Sequence, residues 1–171
     1  TINRKNFKNT EYLNINLDET FSKFEDALGK NDSEHAYANS RARLRMTTLY
    51  QVAGSNHGIV VGTGNKVEDF GVGFYTKYGD GGVDISPIAD CTKTQVWEMG
   101  RYLKIDQKII DAPPTDGLWV DGRNDEDQLG MTYQELEEAT ENPQSKNYEK
   151  YLKIRENNLH KIKEIPVCKF N

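Results

Sequence analysis

Residues 62–84 read Gly-Thr-Gly-Asn-Lys-Val-Glu-Asp-Phe-Gly-Val-Gly-Phe-Tyr-Thr-Lys-Tyr-Gly-Asp-Gly-Gly-Val-Asp, and hold seven of the chain's 14 glycines. Thr63, Glu68, Lys77, Asp80 and Asp84 set a hydroxyl, carboxylates and an amine among those glycines. Glycine admits positive φ and lets a backbone approach a ligand closely. The preceding Ile59-Val60-Val61 reads as a short buried strand. A glycine-rich loop at the end of a buried strand is where open α/β sheets bind nucleotides. Lys93 points the same way, because it falls in the first turn of an expected helix. The helix dipole disfavours a cation there by ~0.3–1 kcal/mol. A bound phosphate would reverse the sign and use the free N–H groups as well.

These residues need a frame. The Ile59–Val61 run has no polar alternation, the pattern of a parallel strand covered on both faces. Tyr12–Leu17 alternates in places and reads as a strand. Leu17-Asp18-Glu19-Thr20 opens a helix with Phe21, Phe24 and Leu28 on one face, broken at Gly29-Lys30-Asn31-Asp32. A second helix runs from about Glu34 to Ala53, with Ala42, Met46, Leu49 and Ala53 as its apolar stripe. Arg41 and Arg43 flank that stripe, and Arg45 on its shoulder is expected to be half-buried. Asp84–Ile88 is extended as far as Pro87. Thr92-Lys93-Thr94-Gln95 and Thr132-Tyr133-Gln134-Glu135 are capping boxes. Residues 111–130 form a long acidic connection, of a length that is usually functional. A last helix spans roughly Asn147 to Lys161. This alternation gives α/β with a parallel sheet flanked by helices.

The totals bound the possibilities. A chain of 171 residues is one domain's worth. With 36% hydrophobic and 29% charged residues it is polar but globular. A net charge of −5 argues against a general nucleic-acid binder. Local cations can still hold a small anion on an acidic protein. No stretch approaches the roughly 20 apolar residues of a membrane span. Cys91 and Cys168, without a CxxC pattern, argue against structural zinc and fit a reducing cytoplasm.

The glycine loop is preceded by Asn39-Ser40-Arg41-Ala42-Arg43-Leu44-Arg45-Met46. It is followed by Asp84-Ile85-Ser86-Pro87-Ile88 and Thr92-Lys93-Thr94-Gln95. Together these segments resemble the NAD synthetase family, from about residue 11 to the end. The resemblance implies ATP-dependent amidation of deamido-NAD to NAD through an acyl-adenylate, with ammonia as nitrogen donor and release of AMP and pyrophosphate. It implies an adenine-nucleotide alpha-hydrolase-like fold. Residues 1–171 would be a single domain lacking its first strand or strands. Family members open with a strand and a Ser-Gly-Gly-x-Asp-Ser loop around the ATP pyrophosphate, a sequence these residues do not contain. The chain is therefore expected to be the C-terminal two-thirds of the enzyme, able to bind but not to adenylate alone.

Neither step of that reaction needs a protein nucleophile, and His35, His57 and His160 are scattered. Positioning, a divalent cation and positive charge suffice. The resemblance assigns Glu68 to Mg²⁺. It assigns Thr63, Lys93 and Thr115 to ATP, and Arg43, Lys77, Asp84, His160 and Lys161 to deamido-NAD. It also implies a homodimer, while the composition sets the expectation of a cytoplasmic protein that engages neither nucleic acid nor membrane. Three departures stand out. Asp116-Gly117 replaces the family's Ala-Asp after Thr115, Ala38-Asn39 replaces Gly-Asn, and the Glu68–Lys77 spacing is one residue longer than in many members. Two other readings stay open: another pyrophosphatase-loop ATP-dependent amidating enzyme, or a non-catalytic nucleotide-binding or dimerisation piece.

Overall fold

The computed structural model describes residues 8–29, 33–119 and 121–170. Helices dominate them. Helix α1 (Asp18–Leu28) buries Phe21 alone, leaving Phe24 and Leu28 exposed. Helix α2 (Glu34–Ser55) is N-capped by Ser33 and buries Ala38 and Ala42. The stripe loses its cover toward the C-terminal end, where Leu49 is exposed. Arg45 is exposed rather than half-buried, and its guanidinium reaches the Asp116 and Gly117 carbonyls.

The glycine-rich segment is not a simple loop. Lys66–Val72 winds into a π-helical turn, capped by Asn65 at its start and by Gly73 in the left-handed region at its end. Both capping boxes form, opening α3 (Lys93–Tyr102) and α6 (Tyr133–Glu141). Short helices α4 (Gln107–Ile110) and α5 (Asp125–Leu129) interrupt the stretch that follows α3, and α7 (Tyr148–Ile162) closes the fold. Residues 111–130 are therefore partly helical. Asn124 and Asp127 bond reciprocally across the first turn of α5 and satisfy its free N–H groups.

The core lies directly beneath the π turn. Val67 and Val72 pack with Leu129, Met131, Tyr133, Leu136 and Tyr151, which joins the turn to α6 and α7. The expected strands are reduced. Tyr12–Leu17 forms no strand, and Tyr12, Leu13 and Ile15 are exposed. Among the described residues, β pairing is one parallel bridge, Val61 to Ile85. Gly62 N–H donates to the Ile85 carbonyl at 2.7 Å, and Asp84 N–H to Val60 at 2.9 Å. Val60 is buried, but Ile59 and Val61 are 59% and 53% exposed, so the run is not covered on both faces. An extended apolar run becomes a sheet strand only where neighbours take up its N–H and C=O groups. The described residues supply one such neighbour. No helix among them is long and apolar enough to cross a membrane.

Candidate functional site

Glu68 is the centre of the polar structure. Asn65 caps the π turn by accepting from the Val67 and Glu68 amides at 3.1 and 3.0 Å. That geometry turns the Asn65 amide nitrogen onto Glu68 Oε2. Lys93, set in the first turn of α3 by the Thr92 cap, donates from Nζ to Glu68 Oε1 at 2.9 Å. The Tyr133 hydroxyl donates to the same oxygen. Glu68 is only 9% exposed, and three donors, one of them cationic, offset the cost of burying its charge. Burial first, and then the charge of Glu68, hold the Tyr133 phenol well above the ordinary tyrosine range. It stays a donor. The Lys93 ammonium also lies 4.6 Å over the Tyr133 ring.

Tyr133 faces two carboxylates with one proton, because its hydroxyl also lies 3.1 Å from Asp125 Oδ2. Asp125 Oδ1 is buried with no hydrogen-bond partner. Burial raises the Asp125 pKa, with the nearby Glu68 charge adding to the effect. Unmet acceptor capacity beside a buried carboxylate is chemistry that suits a cation.

Glu68, Thr63 and Thr115 line one cavity of about 420 Å³, within the size range of small-molecule sites. Asp69, Asp80, Asp116 and Asp125 share its wall, and Arg45 is the one cationic side chain lining it among the described residues. Asp69 comes close to Gly64, where a Cβ would overlap its carboxylate. Burial, then Asp80 and Glu68, push the Asp69 carboxyl up to about 7. Thr115 is exposed, and its hydroxyl accepts from Gly117 N–H at 3.3 Å.

The other predicted residues gather elsewhere. Arg43 Nε donates to the Lys77 carbonyl at 3.2 Å, and Lys77 Nζ to the His160 carbonyl at 2.6 Å. Lys161 Nζ reaches the Gly73 and Tyr75 carbonyls at 2.9 and 2.8 Å. It lines a second, smaller cavity of about 120 Å³ with Asn39, Thr76 and Asp80. Asp84 stands apart, accepting from Val60 N–H at 2.7 Å at the base of the glycine segment. None of these five lines the larger cavity.

A family profile described as NAD synthase matches residues 4–169. The chain belongs to the NAD synthase family. It is 45% identical over 137 residues to an NH(3)-dependent NAD(+) synthetase of Carboxydothermus hydrogenoformans, covering 77% of this chain and 55% of that protein. It is 40% identical over 155 residues to the Mesoplasma florum NH(3)-dependent NAD(+) synthetase, covering 89% and 62%. The solved NMN synthetase of Francisella tularensis superposes with a TM-score of 0.87 at 34% identity, covering 95% of this chain and 68% of that one. The chain thus spans between half and two-thirds of the length of the curated relatives it matches here.

Within this NAD synthase chain, sequence reasoning passed over Asn65, Tyr133 and Asp125 as functional residues. Each left a local signal. Asn65 precedes a turn with a carboxylate three residues on, Tyr133 is the first residue of a capping box, and Asp125 opens an Asn-capped helix. What no local signal carries is that the Tyr133 hydroxyl, on a separate helix, meets both Glu68, which Asn65 already holds, and Asp125.

Proposed function

We propose that the whole protein carries out ATP-dependent amidation of deamido-NAD to NAD, with ammonia as nitrogen donor and an acyl-adenylate between the two steps. The observation that carries this reading is the Glu68 cluster opening onto a cavity shared with Thr63 and Thr115. That wall is acidic, so a polyphosphate can enter it only with its charge offset. Glu68 and the unpartnered Asp125 oxygen suit Mg²⁺, which takes one or two carboxylates and fills its shell from phosphates and water. Among the described residues no group of three or more His, Cys, Asp or Glu could hold a metal ion. The chemistry Mg²⁺ supplies when bound is charge neutralisation on the phosphates.

The chain's own residues do the positioning. Thr63 and Thr115 offer hydroxyls to ATP from two sides of the cavity. Lys93, outside the cavity lining, brings its ammonium toward the phosphates by way of Glu68, from a helix N-terminus, where anions are favoured. Arg43 and Lys77 exchange carbonyl partners for the acceptor's pyrophosphate or carboxylate, a stronger charge-assisted contact. Asp84 accepts from a ribose hydroxyl. His160 and Lys161 close the acceptor side, Lys161 by its charge, since its amine already holds two carbonyls. The reaction would run in a cytoplasmic homodimer with a parallel sheet built on the Val61–Ile85 bridge.

The test uses full-length protein carrying Glu68→Gln. AMP formation should fall at least about 100-fold, since outer-shell changes alone cost 10–100-fold at metal sites. Deamido-NAD binding should be retained. Normal turnover would remove Glu68 from the site and overturn the reading. A second acceptor, the deamido mononucleotide, is favoured by the likeness to the Francisella NMN synthetase. Comparing kcat/KM for the two acceptors decides between them.

A further inference from the structure

We propose that Arg155 is a positioning residue, fixing the rotation of the π turn and through it the aim of the Glu68 carboxylate. This rests on Glu68 being the cation-binding carboxylate. The Lys66–Val72 turn that carries Glu68 is π-helical. Single π turns concentrate at functional sites. Carbonyls at the end of any helical turn lack partners within it. Arg155, half-buried on α7, supplies them. Its Nη1 donates to the Phe70 carbonyl at 2.6 Å and more closely to that of Gly71.

Two observations separate this from ordinary surface pairing. Among the described residues, Arg155 forms no ion pair with a carboxylate, and both its hydrogen bonds go to backbone oxygens of the turn. The turn also sits directly on the same helix. Gly73, in the left-handed region, leaves no room for a Cβ, which would lie 2.7 Å from Asn158 Cβ. The turn is therefore held on one side by α7, while Glu68, two residues before Phe70, faces the cavity on the other. One terminal nitrogen, Nη1, holds both carbonyls, and its rigid planar group fixes the direction of the two N–H bonds. A small rotation of the turn moves Glu68 away from Lys93 and Tyr133 together.

The experiment measures Mn²⁺ binding to full-length protein with ATP present, by titration calorimetry, for wild type, Arg155→Met, Arg155→Lys and Glu68→Gln. Arg155→Met should weaken Mn²⁺ about tenfold or more and lower kcat, with KM for the acceptor within about twofold of wild type. Arg155→Lys should recover part of the Mn²⁺ affinity. Wild-type Mn²⁺ affinity in folded Arg155→Met overturns the proposal. If that variant does not fold, Arg155→Gln replaces it, and unchanged affinity there is equally decisive. Glu68→Gln separates the two failures. If it loses Mn²⁺ while Arg155→Met keeps it, the positioning role falls and the functional reading stands. If it keeps Mn²⁺, the functional reading falls and the positioning role with it.

Discussion

The two halves of the site are built differently. On the phosphate side, Glu68 is buried among side chains from three separate segments, and every contact is a specific donor on a carboxylate. On the acceptor side, Arg43 and Lys77 are tied in a relay to the backbone carbonyls of Lys77 and His160. The first arrangement is rigid, because a buried ion that loses one partner bears the full desolvation cost. The second is exchangeable, because a neutral carbonyl is a weaker partner than a phosphate or carboxylate. The lesson is that this chain preorganises the Glu68 cluster, the proposed cation site, and leaves the cations of the proposed acceptor side free to exchange partners.

Tyr133→Phe should break that comparison most visibly if it is wrong. Removing the hydroxyl leaves Glu68 short of a donor in a closed core, so stability should fall by about 1–3 kcal/mol in chemical denaturation. Divalent-cation affinity should drop by up to about 100-fold in the same protein. A variant as stable and as tight-binding as wild type would mean the phosphate side is no more organised than the acceptor side.

A second effect sharpens the contrast through pH. Burial chiefly pushes the folded Asp69 carboxyl up to about 7, from an ordinary 3.8. Below pH ~4 both states are protonated and there is no penalty. As pH rises toward 7 the unfolded chain ionises first, and the stability contributed by the protonated side chain is lost. Asp69→Asn escapes that loss. It should match wild type near pH 3 and exceed it at pH 8, by up to about 4 kcal/mol. Melting curves at the two pH values check this, and a constant difference between them would contradict it.

The smallest stability effect belongs to the acceptor side. Arg43→Ala removes an exposed side chain whose partner is a carbonyl. Stability should change by no more than about 0.5 kcal/mol, while KM for deamido-NAD rises about tenfold. A large stability loss with unchanged KM would show that the relay is structural.

The local features of the fold were legible because their hydrogen bonds close within four residues. Thr92 with Gln95 and Thr132 with Glu135 are readable as letters and are present as bonds. The 3.6-residue stripe likewise gave α2, although Leu49 shows that a stripe does not guarantee a partner. The apolar run Ile59–Val61 was misread as covered on both faces, and Tyr12–Leu17 as a strand, because cover and pairing come from remote segments. The π turn was invisible for the same reason: its register depends on cations carried by α7, more than 80 residues downstream.

Residue types and spacing alone placed a hydroxyl, a carboxylate and cations in a glycine-rich nucleotide context, since those choices are written in short-range chemistry and in the family's motifs. Which of them meet was decided by folding. Glu68 and Lys93 are brought to 2.9 Å, Glu68 and Thr115 onto one cavity, and Asp84 behind its wall, bonded to the Val60 backbone. The physical reason is burial. A carboxylate removed from water must find donors wherever the chain can supply them, and Tyr133, in the core beneath the π turn, became one only when α6 packed there.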